Sequence, residues 1–147
     1  MEKEIQQRNT WQRQVVKDAV MARSDHPSAD DIYLDVRSQN SSVSRGTVYR
    51  NLSILSENGE IGHVRVPGAD RYDKTIRLHY HMICVNCRKV MDAPFSYDES
   101  KDRMCEEATG FRIKRHRTVF EGICPDCLAK EPGPEASVPD TETVYNK

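Results

Sequence analysis

The stretch VSRGTVYRNLSILSENG at residues 43–59 predicts the central element of the N-terminal half of the chain. Ser44 is suited to cap a helix, because its hydroxyl can accept a hydrogen bond from an early backbone N–H. The apolar residues that follow recur at intervals of three or four, as on one face of a helix. They are Val48, Leu52 and Leu55. Gly59 marks the end of this helix, since glycine tolerates the left-handed conformation that closes many helices.

Two amphipathic helices are predicted before this stretch. The apolar residues between Thr10 and Arg23 have helical spacing. A second helix is expected to begin at Ser28, where Asp31 completes a capping-box pattern. The apolar positions of the first helix are Trp11, Val15, Val16, Ala19 and Val20, and those of the second are Ile32, Leu34 and Val36.

A two-stranded hairpin is predicted after the third helix. Residues 61–66 and 71–76 have strand-like composition, and Pro67 and Gly68 provide the turn between them. Three helices followed by a hairpin form the winged-helix arrangement. We therefore predict a winged-helix DNA-binding domain over residues 1–75.

In a winged-helix domain the third helix enters the major groove of DNA, led by its N-terminal turns. Guanidinium groups pair with phosphate or with a guanine edge, and hydroxyl groups add polar contacts. The outward residues of this helix are predicted to be Arg45, Thr47, Tyr49, Arg50 and Asn51, and Arg8 and Arg13 complete the predicted DNA-binding set. The alternative is a solvated helix face that carries two arginines. The formal net charge of -1 does not by itself indicate nucleic-acid binding.

Four of the five cysteines form two Cys-x-x-Cys pairs, Cys84/Cys87 and Cys124/Cys127. Two such pairs, a few tens of residues apart, are typical of structural zinc. The alternatives are two disulfides or two reduced buried pairs. The N-terminus MEKEIQQRNTW has no apolar signal core and no apolar run reaches membrane-spanning length, which predicts a cytoplasmic protein with reduced thiols. We therefore predict Zn²⁺ bound by these four thiolates, and Cys105 is interpreted as a semi-buried helix residue.

The second half of the chain predicts a small α+β domain over residues 76–130. Strand-like segments at 79–85 and 111–122 flank a charged helix at 97–108. With 37% hydrophobic and 31% charged residues, the chain of 147 residues has room only for small cores. A zinc site stabilises such a core, because metal binding free energy becomes folding free energy. The acidic, proline-rich residues 131–147 are predicted to be a disordered tail.

A second metal site is predicted from histidines and acids. His79 and His81 are two residues apart, so on a strand they project from the same face and can bind one ion together. Asp73 lies upstream and Asp92 downstream, each a few residues beyond a hairpin or strand, and His26 lies between the first two helices. Three imidazoles and two carboxylates suit iron or manganese better than they suit a zinc cage.

Five segments of the chain resemble the ferric uptake regulator family of bacterial metal-responsive repressors. They are HPSADDIY from His26, VSRGTVYRNLSILSENG from Val43, RYD ending at Asp73, HYHMICVNC from His79 and GICPDC from Gly122. The resemblance extends from about Arg8 to Lys130, with the segments in order and at compatible spacing. Within the family they look most like the peroxide-sensing PerR branch.

This resemblance implies a homodimeric winged-helix repressor that binds double-stranded DNA at a palindromic operator. The dimerisation domain of the family holds structural zinc at the positions of Cys84, Cys87, Cys124 and Cys127. The peroxide sensors bind regulatory Fe²⁺ or Mn²⁺ at the positions of His26, Asp73, His79, His81 and Asp92. One ion that bridges both halves favours a closed dimer whose recognition helices are spaced for the operator.

The resemblance also implies how peroxide is sensed. Ferrous iron in a site with an open coordination position reduces hydrogen peroxide, and the oxidant attacks a nearby histidine ligand. The matching candidates are His26 and His79. Oxidation releases the iron and ends repression, whereas manganese in the same site reacts poorly. Because this chemistry is self-modification rather than turnover, the chain is not expected to be an enzyme.

Some positions depart from the common pattern of the family. Gly46 stands where relatives often have alanine, and glycine inside a helix costs up to ~1 kcal/mol. Leu78 and Tyr80 stand where the iron-sensing branch often has a further histidine and acid. A complete third metal site is therefore not expected, although Glu99 and His116 are residue types that a remnant of one would retain.

Two other functional classes fit part of the sequence. A zinc hydrolase or nucleobase deaminase also uses His and Cys-x-x-Cys, but the deaminase signature requires His-x-Glu. No histidine of this chain has a glutamate two residues later. A structural zinc adaptor that does not bind DNA explains the four cysteines but neither the His and Asp set nor the winged helix. Within the family, an iron-responsive uptake repressor is the alternative to a peroxide sensor.

Overall fold

The computed structural model describes residues 1–131, so the predicted disordered tail lies outside the described residues except for Glu131. The helices of the described part are α1 (Glu2–Met21), α2 (Ala29–Gln39), α3 (Arg45–Glu57), α4 (Glu99–Thr109) and α5 (Pro125–Leu128). The strands are β1 (Gly62–Val64), β2 (Arg71–Asp73), β3 (His79–Cys84), β4 (Val90–Ser96) and β5 (Val119–Gly122). None of these helices is long and apolar enough to cross a membrane.

Helices α1, α2 and α3 pack around one apolar core. Its fully buried residues are Val16, Val20, Ile32, Val36, Val43, Val48, Leu52 and Leu55. Two residues of the predicted apolar faces lie outside this core, since Trp11 is 44% and Leu34 is 61% exposed. Successive residues of a helix are rotated by about 100°, which places Leu34 opposite the buried stripe of α2. The three predicted helices are confirmed, but their apolar faces are narrower than the sequence indicates.

Polar caps determine where α2 and α3 begin. The Ser28 hydroxyl accepts a hydrogen bond from the Asp31 backbone N–H at 3.2 Å, and the Asp31 carboxylate accepts one from the Ser28 N–H at 2.8 Å. At α3, the Ser44 hydroxyl accepts a hydrogen bond from the Thr47 N–H at 3.2 Å. Gly59 follows α3 with a φ of +70°, as expected for a glycine that closes a helix.

Strands β1 and β2 form the predicted hairpin in a shorter form. They pair antiparallel, with Gly62 opposite Asp73. A Cβ atom at position 62 would lie 2.9 Å from the Thr75 carbonyl oxygen and 3.0 Å from the Asp73 Cβ atom. Only glycine allows this close approach, which places Asp73 at the end of β2.

The C-terminal sheet has the strand order β4-β3-β5. Strand β3 pairs antiparallel with β4 and parallel with β5. Strand β4 is not predicted from the sequence, because the aspartate and proline at positions 92 and 94 are uncommon in strands. A proline is tolerated in β4 because this strand lies at the edge of the sheet. Asp92 therefore lies within a strand and not beyond one.

The strand predicted at residues 111–122 is only partly formed. Val119 to Gly122 pair with β3, whereas residues 111–117 form no ladder with another described strand. Helix α4 confirms the predicted charged helix, but it contains no buried residue. Cys105 on this helix is exposed, so its interpretation as a semi-buried residue is wrong for the described chain.

A small apolar cluster joins the hairpin to the C-terminal sheet. Val64 of β1, Ile83 of β3 and Val90 of β4 are buried together, and Val66 and Val119 pack against them. The predicted domain boundary near residue 75 lies between β2 and β3. The two halves therefore share packed side chains, and residues from both can contribute to one site.

Candidate metal centres and nucleic-acid interface

Five side chains with metal-binding chemistry converge between the three helices and the C-terminal sheet. They are His26 from the turn after α1, Asp73 from the end of β2, His79 and His81 from β3, and Asp92 from β4. One ligand atom of each lies within 4.8 Å of those of the other four. We call these five residues the regulatory cluster. The structure thus brings together the residues that the sequence analysis assigns to the second metal site.

The three imidazole rings of the regulatory cluster direct the same atom, Nε2, at two carboxylates. Asp73 Oδ2 lies 3.3 Å from Nε2 of His26, 3.0 Å from Nε2 of His79 and 3.3 Å from Nε2 of His81. The distances from Asp92 Oδ1 to the same three atoms are 2.9, 3.1 and 3.6 Å. The three nitrogens and two oxygens therefore form one compact set of donors.

Backbone geometry explains how these donors meet. His79 and His81 alternate with Tyr80 on β3, so both imidazoles project from one face of the strand. The register of the sheet places His81 opposite Asp92. His26 has a φ of +53°, a conformation that is uncommon for residues other than glycine, and it is only 7% exposed. Strain of this kind persists where the surrounding structure holds a functional side chain in place.

Further hydrogen bonds orient two of these ligands. His79 Nδ1 lies 2.5 Å from the Arg77 carbonyl oxygen, which can only accept, so Nδ1 donates this hydrogen bond and Nε2 is the nitrogen that faces the carboxylates. The Thr75 backbone N–H donates to Asp73 Oδ1 at 2.8 Å and leaves Oδ2 directed at the histidines. Within residues 1–131, His26 Nδ1 is buried without a hydrogen-bond partner. Two ligands are therefore preset for binding a cation before one arrives.

The cluster is also electrostatically suited to a cation. Burial opposes ionisation of Asp73, but hydrogen bonds from His26 and His81 outweigh burial and hold the pKa of Asp73 well below its ordinary value. Burial likewise opposes protonation of His26, but the hydrogen bond and charge of Asp73 raise the pKa of His26 overall. The buried carboxylate is thus ionised and requires positive charge close by, which a divalent cation provides. Nitrogen and oxygen donors without sulfur fit iron or manganese.

A second cluster contains the four cysteines of the two Cys-x-x-Cys pairs. The sulfur atoms of Cys84, Cys87, Cys124 and Cys127 all lie within 4.8 Å of one another. Parallel pairing of β3 with β5 explains this arrangement, because it places Cys84 opposite Gly122, two residues before Cys124. We call these four residues the sulfur cluster.

The thiols of the sulfur cluster differ in acidity. Backbone N–H groups of Cys87 and Cys124 donate to Cys84 Sγ at 3.5 and 3.3 Å, and these bonds lower the pKa of Cys84 to about 6. Hydrogen bonding with the thiol of Cys124, followed by burial, raises the pKa of Cys127 to about 12. One thiolate is thus stabilised while a neighbouring thiol resists ionisation. A cation removes this conflict, and four thiolates at this spacing fit tetrahedral zinc.

A groove between α1 and α3 contains most of the predicted DNA-binding residues. Its lining includes Arg8, Arg13, Thr47, Arg50 and Asn51. The prediction that Asn51 faces outward is wrong, because Asn51 is only 6% exposed and its side-chain amide donates to the Thr47 carbonyl oxygen at 2.9 Å. Arg50 is exposed beside this groove. The groove therefore combines cationic side chains from two helices.

The other two side chains of α3 that were predicted to contact DNA interact with residues of α2. The Arg45 guanidinium forms an ion pair with Asp30 and lies 4.7 Å from the centre of the Tyr33 ring. The Tyr49 hydroxyl donates to the same carboxylate at 2.7 Å, and this hydrogen bond raises the pKa of Tyr49. Both side chains are thus restrained but exposed. Asp30 was not singled out from the sequence, because its relation to α3 depends on helix packing.

A hydrogen-bonded network lies on the opposite face of β3 from His79 and His81. The Tyr80 hydroxyl lies 2.8 Å from His116 Nε2, and His116 Nδ1 lies 2.7 Å from Asp102 Oδ1. The Tyr80 hydroxyl also accepts from the Asp98 backbone N–H at 2.9 Å. We call Tyr80, His116 and Asp102 the tyrosine–histidine network. His116 and Tyr80 are thus engaged with each other, and no metal-binding group outside the two clusters is formed within the described residues.

The model of the ferric uptake regulator family matches residues 4–121. The chain belongs to this family. The resemblance that the sequence motifs indicate is therefore confirmed.

Known members of the family include regulators of the peroxide response. The peroxide operon regulator of Bacillus subtilis (strain 168) is 33% identical over 130 residues, which cover 88% of this chain and 90% of that protein. The crystal structure of the Campylobacter jejuni peroxide stress regulator is 26% identical with a TM-score of 0.71, covering 86% of this chain and 96% of that one. The Helicobacter pylori ferric uptake regulator, described as having three functional metal binding sites, is 25% identical with a TM-score of 0.66, covering 82% of each chain. These comparisons confirm the α+β fold class, with a winged helix followed by a dimerisation domain, and a regulator rather than an enzyme.

Proposed function

We propose that this protein is a metal-dependent, DNA-binding transcriptional repressor that senses peroxide through oxidation of a histidine ligand. One observation carries the proposal: the regulatory cluster joins both halves of the chain. His26 comes from the helical half, whereas His79, His81 and Asp92 come from the C-terminal sheet. A cation that binds one arrangement of the two halves more tightly than others shifts the population towards that arrangement.

The two clusters have separate roles in this proposal. The four thiol donors of the sulfur cluster all lie in the C-terminal part of the fold. This cluster holds zinc and thereby stabilises the C-terminal domain. The regulatory cluster holds Fe²⁺ or Mn²⁺ and fixes the helical half against the sheet. Metal occupancy of the second cluster then controls where α3 is presented.

The working form is proposed to be a homodimer on a palindromic operator. Regulators of this family bind DNA and are dimers. A twofold dimer presents two copies of α3, which match two half-sites separated by whole turns of the duplex. The groove lined by Arg8, Arg13 and Arg50 supplies positive charge for the phosphate backbone. Because the proposed target is chromosomal DNA, the proposed compartment is the cytoplasm.

Peroxide sensing is assigned to the histidines of the regulatory cluster. Ferrous iron bound at this cluster would reduce hydrogen peroxide directly beside the side chains that hold the metal. His26 and His79 are the proposed targets, and both direct Nε2 at the carboxylates within 3.3 Å. Addition of an oxygen atom to either ring removes a donor from the five. The coupling between the two halves is then lost and the DNA is released.

The test compares two metals in one DNA-binding experiment. Duplexes selected by the manganese-loaded protein from a random library are bound to the iron and manganese forms, and binding is measured by fluorescence anisotropy before and after a small dose of peroxide. The iron form is expected to release DNA and to gain the mass of one oxygen on a peptide that contains His26 or His79. The manganese form is expected to stay bound and largely unmodified.

Two results would redirect the proposal. An iron form that requires iron for DNA binding yet resists peroxide is an iron-responsive repressor. A protein that selects no duplex with either metal, while retaining its zinc, is a structural zinc adaptor.

A further inference from the structure

A cleft beside the regulatory cluster is lined by four arginines. It has a cavity volume of about 80 Å³ and lies between β1, the segment that joins β2 to β3, and the segment before β5. The guanidinium groups belong to Arg65, Arg77, Arg115 and Arg117. We call this the arginine cleft. One residue comes from the hairpin, one from the joining segment and two from the C-terminal half.

None of the four guanidinium groups has an anionic partner within residues 1–131. No carboxylate lies within 4.0 Å of them, and none of them donates a side-chain hydrogen bond to a described residue. The nearby acids are engaged elsewhere, since Asp73 faces the histidines of the regulatory cluster and Asp70 pairs with His63 at 2.8 Å. In contrast, Arg23 and Arg45 each have a carboxylate partner. The arginine cleft therefore carries positive charge without a direct ion pair among the described residues, and the charge of Asp70 acts on Arg117 only from beyond 4.0 Å.

Three of the four cations, Arg65, Arg115 and Arg117, are also close enough for their charges to affect one another. Partial burial is the largest cause that lowers the pKa of Arg117, and the charges of Arg115 and Arg65 lower it further. Like charges held this close repel each other. An anion bound among them relieves the repulsion, and guanidinium groups match the oxygens of phosphate and carboxylate groups in pairs.

We propose that the arginine cleft binds a small tetrahedral dianion of the phosphate monoester class. The cavity volume of about 80 Å³ is smaller than that of a site for a drug-sized ligand, so it admits a small anionic group and not a protein segment or a duplex. A dianion is favoured over the diester phosphates of DNA, since each diester phosphate carries a single charge. The floor of the cleft includes His79 and His81, whereas the predicted DNA-binding groove lies between α1 and α3. The two anion-attracting surfaces are therefore built from different elements.

A dianion in this cleft would contact both halves of the molecule. Arg65 lies at the end of the hairpin, whereas Arg115 and Arg117 precede β5. Binding would therefore hold together the same two parts that the regulatory cluster joins. The consequence for DNA rests on the proposed function: the dianion is expected to act as a second effector that supports the metal-bound arrangement. Binding itself does not depend on that function.

The test uses the zinc- and manganese-loaded protein and isothermal titration calorimetry. Sulfate serves as the inorganic dianion, glycerol 3-phosphate as the monoester, and dimethyl phosphate as a mimic of the DNA backbone, all at constant ionic strength. Sulfate and the monoester are expected to bind saturably and the diester to bind at least roughly tenfold more weakly. The double variant R115Q/R117Q is expected to weaken binding of both dianions by at least roughly tenfold, because hydrogen bonds to charged groups are lost.

A matched variant distinguishes a site from general positive charge. R112Q/K114Q removes two cations from the same exposed segment, but neither residue lines the arginine cleft. This variant is expected to bind sulfate and the monoester as the unmodified protein does, and both variants are expected to retain zinc and manganese. Equal weakening in the two variants would overturn the proposal. It would also be overturned by equal affinity for the diester and the monoester, which would make the cleft a DNA backbone contact, or by an absence of saturable dianion binding.

Discussion

The sulfur cluster and the regulatory cluster both use β3, but they draw their other donors from different parts of the chain. The sulfur cluster takes its four thiols from the end of β3 and the region of α5, all within the C-terminal half. The regulatory cluster takes Asp73 from the hairpin and His26 from the helical half. A metal in the first site therefore stabilises one domain. A metal in the second fixes the relation between two domains, which makes that site suitable for a switch.

The largest expected effect of a single substitution is on the sulfur cluster. Cys124→Ser removes one of the four thiolates and retains the backbone N–H that donates to Cys84 Sγ. Structural zinc binding amounts to ~10–16 kcal/mol in small zinc domains, so loss of zinc is expected to lower the unfolding temperature and to dissociate the dimer. Zinc content and thermal unfolding are the measurements.

Cys105→Ser is the matched control for that variant. Cys105 lies exposed on α4, outside the sulfur cluster. The variant is expected to retain its zinc and its unfolding temperature. Equal zinc content in the Cys124 and Cys105 variants would contradict the assignment of zinc to the four cysteines.

The next largest effect is expected at the regulatory cluster, where His26→Ala tests whether the helical half contributes. Substitution of a residue that hydrogen-bonds to a metal ligand typically weakens metal binding by roughly 10–100-fold. Loss of a direct ligand is expected to weaken manganese binding by more than that. DNA binding that depends on manganese should be lost, whereas zinc content and the fold should remain. Manganese affinity is measured by competition with a chelating dye.

His63→Ala provides the comparison for His26→Ala. His63 pairs with Asp70 and stacks on Tyr72, outside the regulatory cluster. Manganese affinity is expected to be unchanged in this variant. If His26→Ala also bound manganese normally while His81→Ala did not, the metal site would be confined to the C-terminal sheet and would not join the two halves.

A smaller effect is expected at α3, where metal binding and DNA binding can be separated. Arg50→Ala removes an exposed guanidinium beside the groove between α1 and α3. Loss of a base contact is expected to weaken specific DNA binding by about 1–3 kcal/mol, with both metals retained. Arg103→Ala, on the exposed face of α4, is expected to leave DNA binding unchanged. Equal DNA affinity in the two variants would remove Arg50 from the interface.

The fold was predictable from sequence where the determinants are local. The caps at Ser28 and Ser44 and the glycine after α3 each act on residues within a few positions, and their predictions are confirmed. Strand β4 was missed, because its pairing depends on β3 rather than on its own composition. The outward orientation of Asn51 was wrong for a similar reason, since packing of α1 on α3 determines which face of α3 is buried.

The candidate metal centres were predictable to a different extent. Spacing alone groups the cysteines, because two residues separate the members of each pair. His26 is 53 positions before His79 by residue number, and only the packed structure places their Nε2 atoms beside the same carboxylates. The sequence grouped His26 with the other ligands by residue type, and the resemblance to a known family implied the same set of five. The arginine cleft had no signal in the sequence, because its four arginines come from three separate segments.

The tyrosine–histidine network was not predicted from the sequence. A substitution in this network tests whether the regulatory cluster can be weakened while the sulfur cluster is unaffected, and the expected effect is the smallest of those described. Tyr80→Phe removes the hydroxyl that forms a hydrogen bond with His116 Nε2 and accepts one from the Asp98 N–H, while the ring can remain in place. Stability is expected to fall by about 1 kcal/mol, as for one net hydrogen bond. Tyr80 lies between His79 and His81 on β3, so its loss is expected to disturb the orientation of both ligands. Manganese affinity is expected to fall by up to roughly tenfold, the lower end of the loss typical for residues that support metal ligands.

Zinc content should be unchanged in Tyr80→Phe, since the sulfur cluster lies at the other end of β3. Tyr72→Phe is the matched control, because Tyr72 is equally a buried tyrosine, at 8% exposure, and its hydroxyl forms no hydrogen bond with a described residue. Chemical denaturation and manganese competition are measured on both variants. Equal manganese affinity in the two would mean that the network stabilises α4 without positioning the ligands on β3, and the regulatory cluster would then depend on the sheet register alone.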